Sequence, residues 1–427
     1  MFGWFASQEK KMREHAGNWL ELADKVYHYR RDVLPEAEVQ QLQGRTSELQ
    51  VMLKERAGAE KLKLGIERLE EVLRRTGGAI YPKSALVENV EFFLVAALVI
   101  LGIRAYFVQP FKIPTNSMWP TYSGMTPEVF ARQEDEPGII ARGLRLVTFG
   151  AQRYSMNAPA SGEVLIPIVG GGSRVMIPFR NVPGRTWLVL PTTLKEYTLV
   201  VGGRPVTVEV PADFDFEWAV RDAFFPEERN SRDPGGTDLA RLIARQRDTI
   251  SAEGGQIRFL RTGKNVRAGE RVLAFDIITG DQLFVDRMSY HFVPPSVGDG
   301  FVFRTGNIPG IAQVYGDQYY IKRLVGTPGD TLEVKDYGLL RNGKPITGAK
   351  VFAGNAERSG NYVGYRNEGL LAKGETLKVG AYQYFAMGDN SANSADGRVW
   401  GFVPAKDVVG RPLAVYFPFT KHWGPAR

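Results

Sequence analysis

Three short stretches of this 427-residue chain hold residue types that together can break an acyl bond. In Phe111-Lys-Ile-Pro-Thr-Asn-Ser-Met-Trp-Pro-Thr121, Ser117 lies between Pro114 and Pro120, whose rings restrict the backbone around it. A serine on a stiff turn is suited to nucleophilic attack, but it needs a base. In Gly316-Asp-Gln-Tyr-Tyr-Ile-Lys-Arg-Leu-Val-Gly-Thr-Pro-Gly-Asp330, a strand would put Tyr320, Lys322 and Leu324 on one face and Arg323 on the other. Burial between an aromatic and an aliphatic side chain disfavours the lysine ammonium, and a neutral lysine can act as general base for a serine. In Met387-Gly-Asp-Asn-Ser-Ala-Asn-Ser-Ala-Asp-Gly-Arg-Val-Trp-Gly-Phe-Val403, Asp389 and Asp396 alternate with small hydroxyl residues and Arg398. Such oxygen ligands suit calcium, but the closing glutamate of an EF-hand is missing. A turn supporting a neighbouring site through ion pairs is the simpler reading. Taken singly, the serine reads more simply as a turn residue and the lysine as part of a solvated face.

Composition narrows the chemistry. The chain has no cysteine and four histidines, His15, His28, His291 and His422. Disulfides, thiolate zinc sites, iron–sulfur clusters and a cysteine nucleophile are excluded, and a multi-histidine metal site is disfavoured. A net charge of +7 is mild for this length and points only weakly to a membrane surface or nucleic acid. With 44% hydrophobic and 24% charged residues the chain can bury a sizeable core, and at roughly 150 residues per domain it suggests about three units.

The elements that must position these residues fall into unlike parts. Residues 1–88 read as helical, with Leu62, Ile66, Leu69 and Leu73 on one helix face and Leu42, Leu49 and Leu53 on another. Pro35 marks a helix boundary, and Gly77, Gly78 and Pro82 stop the last helix. A helical hairpin or short coiled coil fits, packing on itself or serving as a partner-binding arm. Residues 89–109 are apolar enough for one transmembrane helix, with a buried helix of a soluble domain as the alternative. Arg74, Arg75 and Lys83 precede the segment, which leans its N-terminal side toward the cytoplasm. Beyond residue 110, short Val, Ile, Phe and Tyr runs alternate with Gly, Pro and Asp turns, the pattern of antiparallel β structure. A helix is expected around Asp238 to Arg247.

In order and spacing, the three stretches resemble the signature boxes of bacterial type I signal peptidases. That family has a serine box I-P-S-x-S-M-x-P-T after a membrane segment, a lysine box K-R-x-x-G-x-P-G-D, and G-D-N-x-x-x-S-x-D-x-R followed by W-G-F-V. Gly280-Asp-Gln-Leu-Phe-Val-Asp-Arg-Met-Ser-Tyr290, Gly298-Asp-Gly-Phe-Val-Phe303 and Val409-Gly-Arg-Pro-Leu-Ala-Val-Tyr-Phe-Pro418 are similar to the family's strand boxes. The likeness covers residues of about 90–123, 280–334 and 381–419, less than half of the chain.

The resemblance implies a mainly β fold: an antiparallel catalytic domain with a β-rich insertion, one N-terminal transmembrane helix and a helical cytoplasmic arm. It implies Ser117 as nucleophile, Lys322 as general base, and an oxyanion hole from the Thr115 hydroxyl and the Ser117 N–H. Ser394 would orient the amine, with Asp389 and Arg323, and Asp396 and Arg398, bracing the site. Ile113, Pro114, Met118, Tyr122, Tyr320 and Ile321 would line apolar pockets for small side chains. No metal or organic cofactor is implied. The implied partners are signal-peptide-bearing preproteins, the lipid bilayer and the secretion translocon, without nucleic acid. The implied location is the cytoplasmic membrane, single-pass, with the catalytic domain on its outer side.

The chain departs from the family in having Thr115 where a serine is usual, while Asn116 and Gly397 fall at variable places. Its larger departure is an insertion over 124–280, far longer than an ordinary loop. The expected division is a helical arm 1–88, a membrane helix 89–109, core segments 110–123, 281–334 and 381–427, the insertion 124–280 and a second insert 335–380. Self-cleaving repressors share a serine–lysine dyad but lack the membrane segment. A noncatalytic membrane assembly factor would not need Ser117, Lys322 and Ser394 together.

Overall fold

Helical spacing of apolar side chains builds the N-terminal region, where α1 (Gln8–Arg30), α2 (Glu36–Lys54) and α3 (Ala59–Thr76) form. The computed structural model describes residues 8–171, 174–186, 190–230, 242, 249–251 and 258–426, and the chain divides into units at 1–101 and 102–427. In the first unit Leu62, Ile66, Leu69 and Leu73 of α3 are buried with Leu42 and Leu49 of α2. The expected helical hairpin is instead a group of three helices. The side chains that α1 buries include Ala16, Ala23 and Val26, small residues that leave a faint periodic signal. A fourth helix, α4 (Ala85–Tyr106), buries none of its residues and has a mean hydropathy of 2.2 over an 18-residue window. Its length of about 33 Å matches a hydrocarbon core of about 30 Å. It starts and ends earlier than the expected 89–109, because Val108 already belongs to a strand.

The second unit is built on one antiparallel sheet. Its strands are β1 (Val108–Lys112), β2 (Gln282–Asp286), β3 (Gly300–Arg304), β4 (Tyr319–Gly326), β5 (Gln383–Met387), β6 (Val403–Pro404), β7 (Val408–Phe417) and β8 (Gly424–Pro425). They run in the order β1-β2-β7-β3-β4-β5-β6, with β8 on β7. Phe301 of β3 pairs with Lys322 of β4, and Arg323 pairs with Met387 of β5. This register places the end of β5, and the Gly388-Asp389 turn after it, beside the middle of β4.

Residues 124–280, the expected insertion, have a core of their own. Thr126–Val129, Arg271–Ile278 and Gln152–Asn157 make a small sheet, and a larger one centres on Gly162–Gly171, Leu190–Val201 and Arg258–Val266. Their buried side chains, from Met125 to Ile277, form one apolar cluster. The helix expected at Asp238 to Arg247 lies outside the described residues, apart from Leu242. Two helices that the sequence pattern did not suggest are Ile139–Phe149 and Phe216–Phe224. Residues 331–378 form a second addition, a four-stranded sheet with the helix Lys350–Glu357 packed on it.

The two ends of the large insertion are fastened together beside the serine segment. Ile113 N donates to Asp281 O at 2.8 Å, and Asp281 N donates to Ser123 O at 2.8 Å. Asp281 Oδ2 accepts from Ser123 N at 2.7 Å and lies 2.8 Å from His422 Nδ1. Chain exit and re-entry are thus about a hydrogen bond apart, so the insertion leaves the sheet undisturbed. The packing is tightest at Gly280, where a Cβ would lie 1.8 Å from Ile113 O. Gly280→Ala is expected to destabilise the catalytic unit by about 1–3 kcal/mol, as overpacking does. A lowered denaturant midpoint checks this, and an unchanged midpoint would mean that the neck is pliable.

Candidate active site

The serine turn is a single 3-10 turn, Asn116–Met118, entered from extended Thr115. Asn116 is 4% exposed and holds the turn from inside. Its Nδ2 donates to Met125 O at 2.9 Å, and its Oδ1 accepts from Gly124 N at 2.9 Å. From the other side, Asn390 N donates to Ser117 O and Asn390 Nδ2 to Asn116 O, both at 3.0 Å. By the family resemblance Asn116 falls at a variable position. In the structure it clamps the candidate nucleophile. A short amide at a turn, able to bond neighbouring backbone, was the available signal.

Lys322 reaches this turn from the middle of β4. Its Nζ donates to Ser117 Oγ at 2.5 Å, across 205 residues of sequence. The lysine is 4% exposed, faces Phe301 across the strand pair, and has its Nζ 5.7 Å from the centre of the Tyr320 ring. Burial pushes its amine from 10.5 down to about 8; nearby Asp396 and Asp389 oppose that shift, and Arg398 adds to it. Desolvation wins because each aspartate is already paired.

Those pairs are buried. Arg323 donates to Asp389 through Nε at 3.1 Å and Nη2 at 2.5 Å, and its Nη1 donates to Gly298 O at 2.9 Å. Arg398 donates to both oxygens of Asp396 at 2.8 Å and to Ser391 Oγ at 2.8 Å. Burial pushes the Asp396 carboxyl up, but Arg398 and the Gly388 N–H outweigh it and hold the group below the ordinary range. The Gly388 N–H bond, 3.0 Å to Asp396 Oδ2, ties this pair to the serine turn. A Cβ on Gly388 would lie 2.2 Å from Ser394 Oγ and 2.5 Å from Ser117 O. The turn after β5 therefore needs glycine to come this close to the nucleophile.

The remaining sequence-derived residues divide. Ser394 is beside the dyad, yet its Oγ is buried without a hydrogen-bond partner and does not bond Lys322. Thr115 is exposed. Ile113, Met118 and Tyr122 are buried with Leu283, Val285, Val302 and Val415, forming the floor beneath the serine turn. Pro114 is exposed, and Tyr320 and Ile321 are half-buried, so these three keep surface for a ligand.

Comparison with known proteins follows the same division. The family described as "Signal peptidase, peptidase S26" matches residues 274–417, which include Lys322 and the Asp389–Arg398 loop but not Ser117. A probable signal peptidase I-1 of Synechocystis sp. is 36% identical over 152 residues, 34% of this chain and 66% of that protein. The signal peptidase I of Bacillus licheniformis is 34% identical over 140 residues, 30% of this chain and 73% of that one. A crystal structure of a signal peptidase I from Enterococcus faecalis V583 is 27% identical, covers 28% of this chain and 97% of that one, and has a TM-score of 0.21. The chain thus spans just under two thirds of the first relative's length.

Two outcomes follow from the geometry. Between about 8 and 10.5 the unfolded chain binds more protons at Lys322 than the folded one, so this group makes stability rise with pH across that window. Lys322→Met is expected to flatten that rise and to raise the urea midpoint at pH 7; an unchanged midpoint and slope would mean that the amine is solvated. Asn116→Ala removes two buried backbone contacts and is expected to cost about 1–3 kcal/mol by the same titration.

Proposed function

Because the chain belongs to the signal peptidase I family, we propose that it is a membrane-anchored serine–lysine endopeptidase that removes signal peptides from exported preproteins. Cleavage would follow small residues, such as alanine at the last and third-last positions of the signal peptide. The observation that carries this reading is the 2.5 Å approach of the buried Lys322 amine to Ser117 Oγ.

In the proposed reaction, Ser117 Oγ attacks the scissile carbonyl carbon while neutral Lys322 takes the hydroxyl proton. The Thr115 hydroxyl and the Ser117 N–H are assigned to the oxyanion that forms; in such sites one donor supplies about 3 kcal/mol. The C–N bond then breaks, and the lysine ammonium gives its proton to the departing amine. A water, deprotonated by Lys322, attacks the acyl ester, the signal peptide leaves as a carboxylic acid, and the proton returns to Ser117. Pro114, Tyr320 and Ile321 are assigned to the substrate's small side chains. A single pass of α4 through the cytoplasmic membrane, with helices α1–α3 on the cytoplasmic side, would hold this chemistry at the outer surface, where preproteins emerge from the translocon. The apolar character of α4 supports the membrane pass, and Arg74, Arg75 and Lys83 before it support the orientation.

The test uses detergent-solubilised full chain and a preprotein with an Ala-x-Ala site, with the cut located by mass spectrometry. Wild type is expected to cut at the junction, at a rate rising with pH through about 8. Ser117→Ala and Lys322→Ala are expected to lose about 10³-fold or more. Thr115→Val is expected to lose about 10²–10³-fold while Thr115→Ser keeps most of the rate. Equal cleavage by wild type and both dyad variants would refute the assignment. Folded wild type that cuts no preprotein would turn the reading toward a scaffold.

A further inference from the structure

One loop of the insertion reaches back to the dyad. Phe214 and Phe216 are 2% and 0% exposed and anchor it in the insertion's core, where Phe214 stacks on Phe275 and Phe216 on Tyr197. The residues between and after these anchors turn the other way. Asp215 Oδ2 accepts from Asn393 Nδ2 at 3.2 Å, one residue before Ser394. Trp218 meets Trp119 edge-on, with ring centres 5.8 Å apart and planes at 80°, two residues after Ser117. Arg221 covers the Trp218 ring at 5.2 Å and is itself paired with Asp222, which fixes the indole. Asp213 of the same loop also acts electrostatically on the Lys112 amine, at the end of the strand leading into the serine segment.

The loop therefore contacts both jaws that enclose the dyad: the serine turn through Trp119, and the 390–394 turn through Asn393. We propose that the inserted domain is an integral part of the catalytic site, in which Trp218 and Asp215 are positioning residues that hold Ser117 and the Ser394 turn in register with Lys322. This inference rests on the peptidase reading for its substrate but not for its geometry. An edge-on aromatic pair and a single hydrogen bond are small in energy. They matter here because a hydroxyl displaced by an ångström from its base loses much of its reactivity. Two contacts, one to the serine turn and one to the turn that carries Ser394, restrain displacements that would part Ser117 from Lys322.

The test compares Trp218→Ala, Trp218→Phe, Asp215→Ala, Asn393→Ala and the Asp215→Ala/Asn393→Ala double variant in the full chain. Two rates are read: preprotein cleavage, as kcat and KM, and acylation of Ser117 by a small activated ester, followed by mass spectrometry across pH. Trp218→Ala is expected to lower kcat and the acylation rate about tenfold with KM nearly unchanged, and Trp218→Phe to restore most of it. Its acylation midpoint is expected to move above about 8, because a displaced serine turn lets water reach the amine. The Asp215 and Asn393 variants and their double are expected to share one effect, as a coupled pair does. Equal acylation rates and an unmoved midpoint in folded Trp218→Ala would overturn the proposal. Should Trp218→Ala fail to fold, independent additive effects of Asp215→Ala and Asn393→Ala would overturn it. If the ester results hold while wild type cuts no preprotein, the positioning role stands and the substrate reading falls.

Discussion

A lysine amine shut away from water can be a base near neutral pH only if no unbalanced charge lies beside it. Everything around Lys322 obeys that constraint. An unpaired carboxylate within a few ångströms would favour the ammonium by several kcal/mol at the effective dielectric of a protein interior. Asp389 and Asp396 are close enough to act in that direction, yet each is bonded to an arginine, Arg323 or Arg398. Buried ion pairs of this kind are weak contributors to stability, since desolvation offsets their attraction. Their value lies in structure without net field: they tie β4 to the turn after β5 and leave desolvation in control of the amine.

The same constraint explains the sheet's design. Ser117 and Lys322 are 205 residues apart in sequence, so the 2.5 Å between their side chains cannot come from local conformation. It comes from register: β3 fixes β4, β4 fixes β5, and Gly388 lets the next turn touch Ser117 O. The long segment 124–280 between Ser117 and Lys322 is tolerable because Asp281 closes its neck, and because closure entropy grows only slowly with loop length. Once the neck is closed, the inserted strands fold on their own core.

Legibility followed the range of the interaction. That Ser117, Lys322, the two aspartates and the two arginines lie close together was readable because their boxes are continuous in sequence and alternate as strands and turns must. The face shared by Leu62, Ile66, Leu69 and Leu73 was readable for the same reason. Asn116 was not, because its role depends on where Gly124, Met125 and Asn390 come to lie. The burial of Ile113, Met118 and Tyr122 was hidden likewise: an apolar residue beside a nucleophile reads as pocket or floor until the partners Leu283, Val302 and Val415 are seen beneath it. Trp218 lies about a hundred residues from the serine, at the start of a helix that the charged, aromatic segment around it did not announce.

The direction of the hydrogen bond between Lys322 and Ser117 depends on the protonation state of the amine. As an ammonium, Lys322 donates to Ser117 Oγ; as a neutral amine it offers a lone pair and the serine hydroxyl must donate. The 2.5 Å separation serves both directions, so proton transfer requires no movement of heavy atoms. In both states two further N–H groups remain on the nitrogen, and Ser394 Oγ on the neighbouring turn is buried without a partner. A buried hydroxyl left unmade costs about 1–3 kcal/mol. A hydroxyl acceptor turned toward Nζ would serve both states, and would favour the ammonium, because a charged donor makes the stronger bond. Left without a bond to Nζ, Ser394 Oγ lends the ammonium nothing, and desolvation keeps control of the amine.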